Sequence, residues 1–366
     1  MDGTINPEMD YVSILSAEIG RAWPNLTAAR NSAKEVQALL SERLGDFPSG
    51  DIDVVAYGSL ARGEWTSGSD VDWTLLVDGQ VTPDQRNIAR RVKATVTETQ
   101  FRGKALESPG AEGIFGKMAF SHDLVHHIGG QADTNSNTTQ RILMLLEAFP
   151  IRRVVANTGP FERVANEILF RYLHDDTNFV SAGSSNSRIP RFLLNDIVRY
   201  WRTMCVDFAY KEWEQAGVKW ALRNIKLRMS RKLLFVSGLL TAFSCYNNGS
   251  LPIEGGNSQQ YRPKMQEHLM CFVRATPINI LVWTLRQIQL DEYAARILDS
   301  YDQYLQRLDD EGLRTHLGNV PANDIYKDAT FLELRDLSHD FQTALNSIFF
   351  EVKSDLRDFT ISYGVF

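Results

Sequence analysis

One stretch constrains this chain more than any other: Ala56-Tyr57-Gly58-Ser59-Leu60-Ala61-Arg62-Gly63-Glu64-Trp65-Thr66-Ser67-Gly68-Ser69-Asp70-Val71-Asp72-Trp73. A short β-rich run, Asp53 to Tyr57, delivers Gly58-Ser59. After ten intervening residues Asp70-Val71-Asp72 opens a second apolar run that reaches Val77 and closes at Asp78-Gly79. This spacing predicts strand, glycine turn, short helix, strand. Gly58 carries no side chain, so its backbone can take strained angles and approach an anion closely. Ser59 adds a hydroxyl where the free N–H groups of a helix start would face that anion, and Arg62 lies on the first turn to neutralise its charge.

Asp70 and Asp72 are two residues apart on the expected strand, so both carboxylates project from one face. Two hard oxygen ligands side by side make half of a Mg²⁺ site, which substrate phosphates can complete. A pair of such ions can activate an attacking hydroxyl and stabilise departing pyrophosphate in an in-line displacement. Asp-x-Asp alone is common, and Gly-Ser alone is a turn. Their conjunction, each abutting an apolar strand, points to transfer of a nucleotidyl group.

The surroundings fit a mixed fold. Residues 27–44 read as a helix with Ala28, Val36, Leu39, Leu40 and Leu44 along one side, and Pro83 opens another helix to about Phe101. After about residue 160 the pattern is helical throughout. Leu193, Ile197, Trp201, Met204 and Phe208 recur every three or four residues, and similar spacing marks 278–288, 293–308 and 332–348. Residues 247–263, rich in Gly, Asn and Ser, read as a loop, a lid or a linker. The expectation is an α+β chain: a small mixed sheet in residues 1–158, then an all-helical domain, 159–366, closing a nucleotide cleft.

Charge and cysteines bound the partners. Lys and Arg number 39 against 45 Asp and Glu, a formal net charge of −6, which argues against coating DNA by bulk charge. Cys205, Cys245 and Cys271 lack the close pairing of a thiolate metal site and suit reduced, mostly buried thiols. The acidic start, Met1-Asp2-Gly3-Thr4, has no signal-peptide character, and 233–246 is too short to span a bilayer and reads as a core helix. A cytoplasmic protein with no membrane partner is expected.

At Gly58-Ser59 and Asp70-x-Asp72 the sequence resembles the DNA polymerase beta-like nucleotidyltransferase superfamily. The resemblance implies a small mixed sheet flanked by helices, an NTP donor, two Mg²⁺ ions (Mn²⁺ as a substitute) and a third carboxylate on a later strand. A second likeness runs through Gly129-Gly130, Asp133, Thr139 to Glu147 and Gly159-Pro160-Phe161-Glu162-Arg163. It resembles the nucleotidyltransferase part of the PII-uridylyltransferase group, in which a Leu-Leu-acid strand precedes such a helix start. That likeness implies Glu147 as the third metal ligand and a protein acceptor. Phe149 departs from it, standing where Arg is common, and a shifted register would put Asp133 or Asp123 in that role. His174-Asp175 and His339-Asp340 lack the spaced ligands of the hydrolase domain found in that group and read as surface.

Residues 219–232 hold six cations and no acid. On one helix Lys219, Arg223 and Lys226 would share a face, with Leu222, Ile225 and Met229 opposite; that face is solvated, meets a triphosphate across the cleft, or binds a nucleic-acid backbone. Upstream, Asp196 and Arg199 are spaced to pair on a helix, His126-His127 reads as structural, and Trp201, Trp213 and Trp220 read as core. The competing functions are synthesis of a cyclic or linear nucleotide messenger, nucleotide addition to RNA, and a non-catalytic, antitoxin-like binding partner.

Overall fold

Ile52–Ala56 and Trp73–Val77 are apolar except at Asp53 and Thr74, and every residue in both is buried. They form strands β1 and β2 at the centre of the sheet in a computed structural model that describes residues 3–47, 50–109, 113–152, 158–176, 189–214, 217–246 and 258–364. Strand β5 (Lys117–Phe120) lies parallel to β2, and β6 (Phe149–Ile151) antiparallel to β1, giving the order β5-β2-β1-β6. A two-stranded ribbon, β3 (Gln100–Phe101) with β4 (Lys104–Ala105), stands apart. The architecture is α+β and 68% helical.

Alternation sets the two faces of the sheet. Val54, Ala56, Trp73 and Leu75 pack under Val36, Leu40 and Leu44 of α2 (Pro24–Leu44) and Val92 and Val96 of α4 (Pro83–Glu98). On the opposite face Val55, Tyr57, Leu76 and Ala119 join a larger core. That core runs through α5 (Ser121–Val125), α6 (Asn135–Leu146), α7 (Pro160–His174) and the helices beyond, from Ile5 to Phe359. It is continuous across residue 158, the expected domain boundary. The N-terminus packs on the far end of the chain: α1 (Tyr11–Ile19) meets α12 (Pro277–Gln287), and α2 meets α13 (Asp291–Asp309). There Asp302 accepts from Leu26 N–H at 2.8 Å and Asp299 from Trp23 Nε1 at 2.9 Å.

The helical half contains α8 (Arg191–Glu214), α9 (Trp220–Lys226), α10 (Lys232–Ser244), α11 (Ser258–Val273), α14 (Glu311–Asn319), α15 (Ala329–Asn346) and α16 (Asp355–Phe359). Residues 233–244 are the buried helix expected of them. The loop expected at 247–263 falls partly outside the described residues, and from Ser258 onward it is helix, held by buried Met265, Leu269 and Phe272 despite Pro263. Among the described residues no single helix is long and apolar enough to cross a membrane; α11 and α12, apolar enough only together, meet at 119°.

Several side chains take partners that local spacing did not indicate. Asp196 does not pair with Arg199. It accepts from Arg141 at 2.7 Å and from Tyr172 Oη at 2.5 Å, while Arg141 also forks onto Asp133 at 3.0 and 2.9 Å. Arg141 is fully buried, so α6, α7 and α8 are joined through one desolvated guanidinium. Trp220 is core and Trp201 stacks on Phe235, but Trp213 is 77% exposed near the end of α8. His174, Asp175, His339 and Asp340 are exposed, and His126 and His127 cluster with His122 at the surface.

Candidate active site

Strand register gathers the site at one end of the central strands. Ala56 pairs with Trp73 on one side and with Phe149 on the other. The residues just beyond these pairs are Tyr57 and Gly58 after β1, Asp72 before β2, and Glu147 before β6. They must therefore meet. Tyr57 N–H donates to the Asp72 carbonyl at 2.8 Å, carrying the ladder one step past the strands.

Gly58 starts the short helix α3 (Gly58–Arg62) with φ +66°, a left-handed angle that L side chains resist. A methyl group there would lie 2.6 Å from Asp72 Oδ2. Glycine is thus required twice, for the backbone angle and for room beside a carboxylate. Ser59 follows on the first turn of α3, partly exposed.

Asp70 and Asp72 lie not on the strand expected of them but in the irregular segment immediately before β2, Asp70 exposed and Asp72 partly buried. Burial, then the negative charges of Asp70 and Glu147, push the Asp72 carboxyl up to about 7, against the opposing pull of Arg62 and Lys226. Three acids therefore act on one another at one place.

Glu147 is not on a strand. Residues 135–146 form helix α6, whose N-cap Thr134 accepts from Asn137 N–H, and Glu147 is its C-cap. Its carboxylate pairs with the Arg62 guanidinium and accepts from Gly58 N–H, while burial raises its proton affinity. Strands β5 (Lys-Met-Ala-Phe) and β6 (Phe-Pro-Ile) carry no acid. Arg62 is held on its other edge by Glu64 at 2.8 Å, and Glu64 in turn accepts from Tyr301 Oη at 2.7 Å. Arg62 and Glu147, expected to serve phosphate and metal separately, are partners instead. Asp133 is taken by Arg141, and Asp123 lies 3.6 Å from His127 on α5, so neither joins Asp70 and Asp72. Among the described residues no three His, Cys, Asp or Glu side chains are arranged to hold an ion.

The basic segment contributes unevenly. Lys219 is the N-cap of α9, with φ +58°, and is exposed. Arg223 turns back to donate to the Val218 carbonyl at 2.6 Å. Lys226, at the end of α9, feels the charges of Asp70, Arg62, Arg231 and Arg314, and burial lowers its pKa to about 8. A π-helical turn, Leu227–Arg231, follows at once. Of the three expected cations, Lys226 is the one whose charge couples to the aspartates.

Glu64, Tyr301 and Arg314 were not evident from local sequence. Glu64 lies inside the motif, but its role depends on a tyrosine 237 positions away.

Residues 37–102 match the family described as the nucleotidyltransferase domain. The match runs from the last turns of α2 through β1, α3, β2 and α4 to β3, and so contains Gly58, Ser59, Asp70 and Asp72. It supports a transferase of that class, within the polymerase beta-like superfamily. No curated protein and no solved structure matches the chain.

Proposed function

We propose that this protein transfers a nucleoside monophosphate from an NTP to an acceptor hydroxyl, releasing pyrophosphate, with a divalent cation held at Asp70 and Asp72. The observation that carries this reading is the crowding of Asp70, Asp72 and Glu147 beside the Gly58 helix start, with Lys226 facing them from the helical half. A carboxyl such as Asp72, whose proton affinity neighbouring acids raise, gains from a cation, and carboxylate oxygens suit Mg²⁺ or Mn²⁺. When bound, such an ion would supply Lewis-acid stabilisation of phosphoryl charge and lower the pKa of the acceptor hydroxyl.

The chain's own residues do the remainder. Ser59 presents its hydroxyl and N–H to the β- and γ-phosphates, and Gly58, without a side chain, leaves room for them beside Asp72. Lys226, carrying a charge that burial makes costly, meets triphosphate oxygens. Glu147 orients Arg62 and the Gly58 N–H, so that its charge reaches the aspartates without its oxygens being needed as ligands. Lys219 and Arg223, at the outer end of α9, take a lesser part in steering the nucleotide. The likeness that favoured a protein acceptor required a strand ending at Glu147. With a helix there, the acceptor is read from the product.

The test uses purified protein, each labelled NTP, Mg²⁺ or Mn²⁺, and cell lysate present or absent, with protein, RNA and small-molecule products separated. Label on protein, RNA or a new nucleotide, lost in an Asp70→Ala/Asp72→Ala variant, supports the reading and identifies the acceptor. Undiminished transfer by that variant refutes the carboxylate assignment. Absence of transfer under all conditions, with a stable complex to a second protein, favours the non-catalytic partner.

A further inference from the structure

The loop that delivers Asp70 is held from the opposite end of the chain. Ser67 N–H donates to Asp309 Oδ1 at 2.8 Å, and Ser67 Oγ donates to the Asp309 carbonyl at 2.7 Å. The Arg314 guanidinium donates to the Gly68 carbonyl and, at 3.4 Å, lies within reach of Thr66 Oγ1. Lys104, ion-paired with Glu311 at 2.8 Å, donates to the Ser67 carbonyl at 3.3 Å. A methyl group at Gly68 would lie 2.5 Å from Arg314 Nε, so this glycine is the seat of the arginine. Beyond the loop, Val71 N–H is fixed by the Glu107 carbonyl at 2.8 Å. Asp70 thus stands between two anchored points.

These contacts are not needed by the helices that supply them. Asp310 already caps α14, accepting from Leu313 N–H at 2.9 Å. Arg314 makes no ion pair among the described residues, and its donors go to the loop and to the Leu308 carbonyl. Helix α14 also touches the cationic wall: Lys219 N–H donates to the Gly318 carbonyl at 3.2 Å, and α14 packs along α9. One short helix therefore contacts both the aspartate loop and the helix that ends in Lys226.

We propose that Arg314 and Asp309 are positioning residues that seat Gly68 and Ser67 so that the Asp70 carboxylate is held at a set place opposite Lys226. This rests on the transfer reading for its consequence, but the seating itself can be measured without nucleotide. In Arg314→Ala the loop loses two donors and Asp70 samples a wider volume. The expected effect is a tenfold or greater rise in the Mn²⁺ concentration giving half-maximal pyrophosphate release, with a smaller change in kcat. Gly68→Ala forces the guanidinium off its seat and produces the same effect. Because the two substitutions break one contact, the double variant is no worse than Arg314→Ala alone.

The experiment uses the full chain in two measurements. Hydrogen exchange, followed by mass spectrometry without nucleotide, compares a peptide covering 66–72 with one covering 52–56. Pyrophosphate release is then titrated with Mn²⁺ at saturating NTP. Faster exchange confined to 66–72 in Arg314→Ala, with a raised Mn²⁺ requirement, supports the proposal. Asp309→Ala gives the same pattern, and Asp309→Asn, which keeps the acceptor oxygen, restores it. Should Arg314→Ala fold poorly, the Asp309 pair carries the test. Unchanged exchange at 66–72, or Gly68 and Arg314 effects that simply add, overturns the positioning role. A wild-type protein inert with every NTP, but with loop exchange released by Arg314→Ala, sinks the transfer reading and leaves the seating of the loop standing.

Discussion

Arg62 and Glu147 form a buried ion pair that joins the first turn after β1 to the end of α6. Glu64 shares the same guanidinium, and Tyr301 completes the set from α13. Both members act on Asp72 electrostatically, Glu147 raising and Arg62 lowering its proton affinity.

Removing the cation of this network is predicted to cost more than removing one anion. Arg62→Ala leaves Glu64 and Glu147 buried together without a counter-charge, a loss of about 3–5 kcal/mol. Glu147→Gln keeps Arg62 paired with Glu64 and can still accept from Gly58 N–H, so the loss is about 1–2 kcal/mol. Urea denaturation of both variants measures the asymmetry; equal losses would show that Glu64 does not share the guanidinium.

Gly58 and Gly63 provide a matched comparison. Both have left-handed backbone angles, φ +66° and +72°. Alanine at either costs about 1–2 kcal/mol through the backbone. At Gly63 the added methyl meets only Arg30 Cγ at 3.6 Å, whereas at Gly58 it strikes Asp72 Oδ2. Gly58→Ala is therefore expected to lower NTP turnover at least tenfold more than Gly63→Ala at similar thermal stability. Parallel losses of turnover would remove Asp72 from the account.

Lys226 should separate stability from activity. Burial and neighbouring cations depress its pKa to about 8, so at pH 7 it is held charged against its surroundings. Lys226→Met, which keeps the apolar stem, is expected to leave Tm unchanged or raise it while NTP turnover falls about 10- to 100-fold. A marked drop in Tm would show that the ammonium stabilises the fold.

Cation binding should release a proton. With its carboxyl near 7, Asp72 is largely protonated at pH 6 and must ionise to act as a ligand. The sign for stability follows. A folded pKa above the unfolded value favours folding at low pH, and that benefit is lost as pH rises through about 7. Mn²⁺ affinity is thus expected to increase from pH 6 to pH 8, with proton release at pH 6 visible by calorimetry in buffers of different ionisation enthalpy. Affinity independent of pH in Asp72→Asn would be the matching control.

His268 sets an acid limit far from the site. Its ring lies between Thr4 Oγ1 at 2.9 Å and Ser244 Oγ at 2.8 Å, and burial lowers its pKa to about 4. The unfolded chain binds this proton more readily, so stability should fall as pH drops from about 6.5 towards 4, by roughly 3 kcal/mol from this group. His268→Gln is expected to flatten the stability profile across that window, as urea midpoints would show.

The chemistry visible in the sequence was the part carried by neighbours in the chain. Gly58-Ser59 and Asp70-x-Asp72 need only a strand, a turn and another strand, and periodicity of two and of 3.6 supplied those elements. Glu147 shows where this stops. Its place beside the motif comes from the Ala56–Phe149 pairing, not from the helical or extended state of its own segment. Trp213 shows the same limit in reverse: a tryptophan read as core is 77% exposed.

By itself the sequence indicated a glycine–serine turn and an Asp-x-Asp pair, each abutting an apolar strand, because alternation and turn residues are properties of a local run. Tertiary structure decided which distant side chains hold that pair in place. Tyr301, Asp309 and Arg314 lie more than 200 positions from the loop and helix they contact, and their contacts with Glu64, Ser67 and Gly68 arise only when the helical half closes over the sheet. Contacts of that separation are set by how whole layers pack, a property that no local run of residues contains.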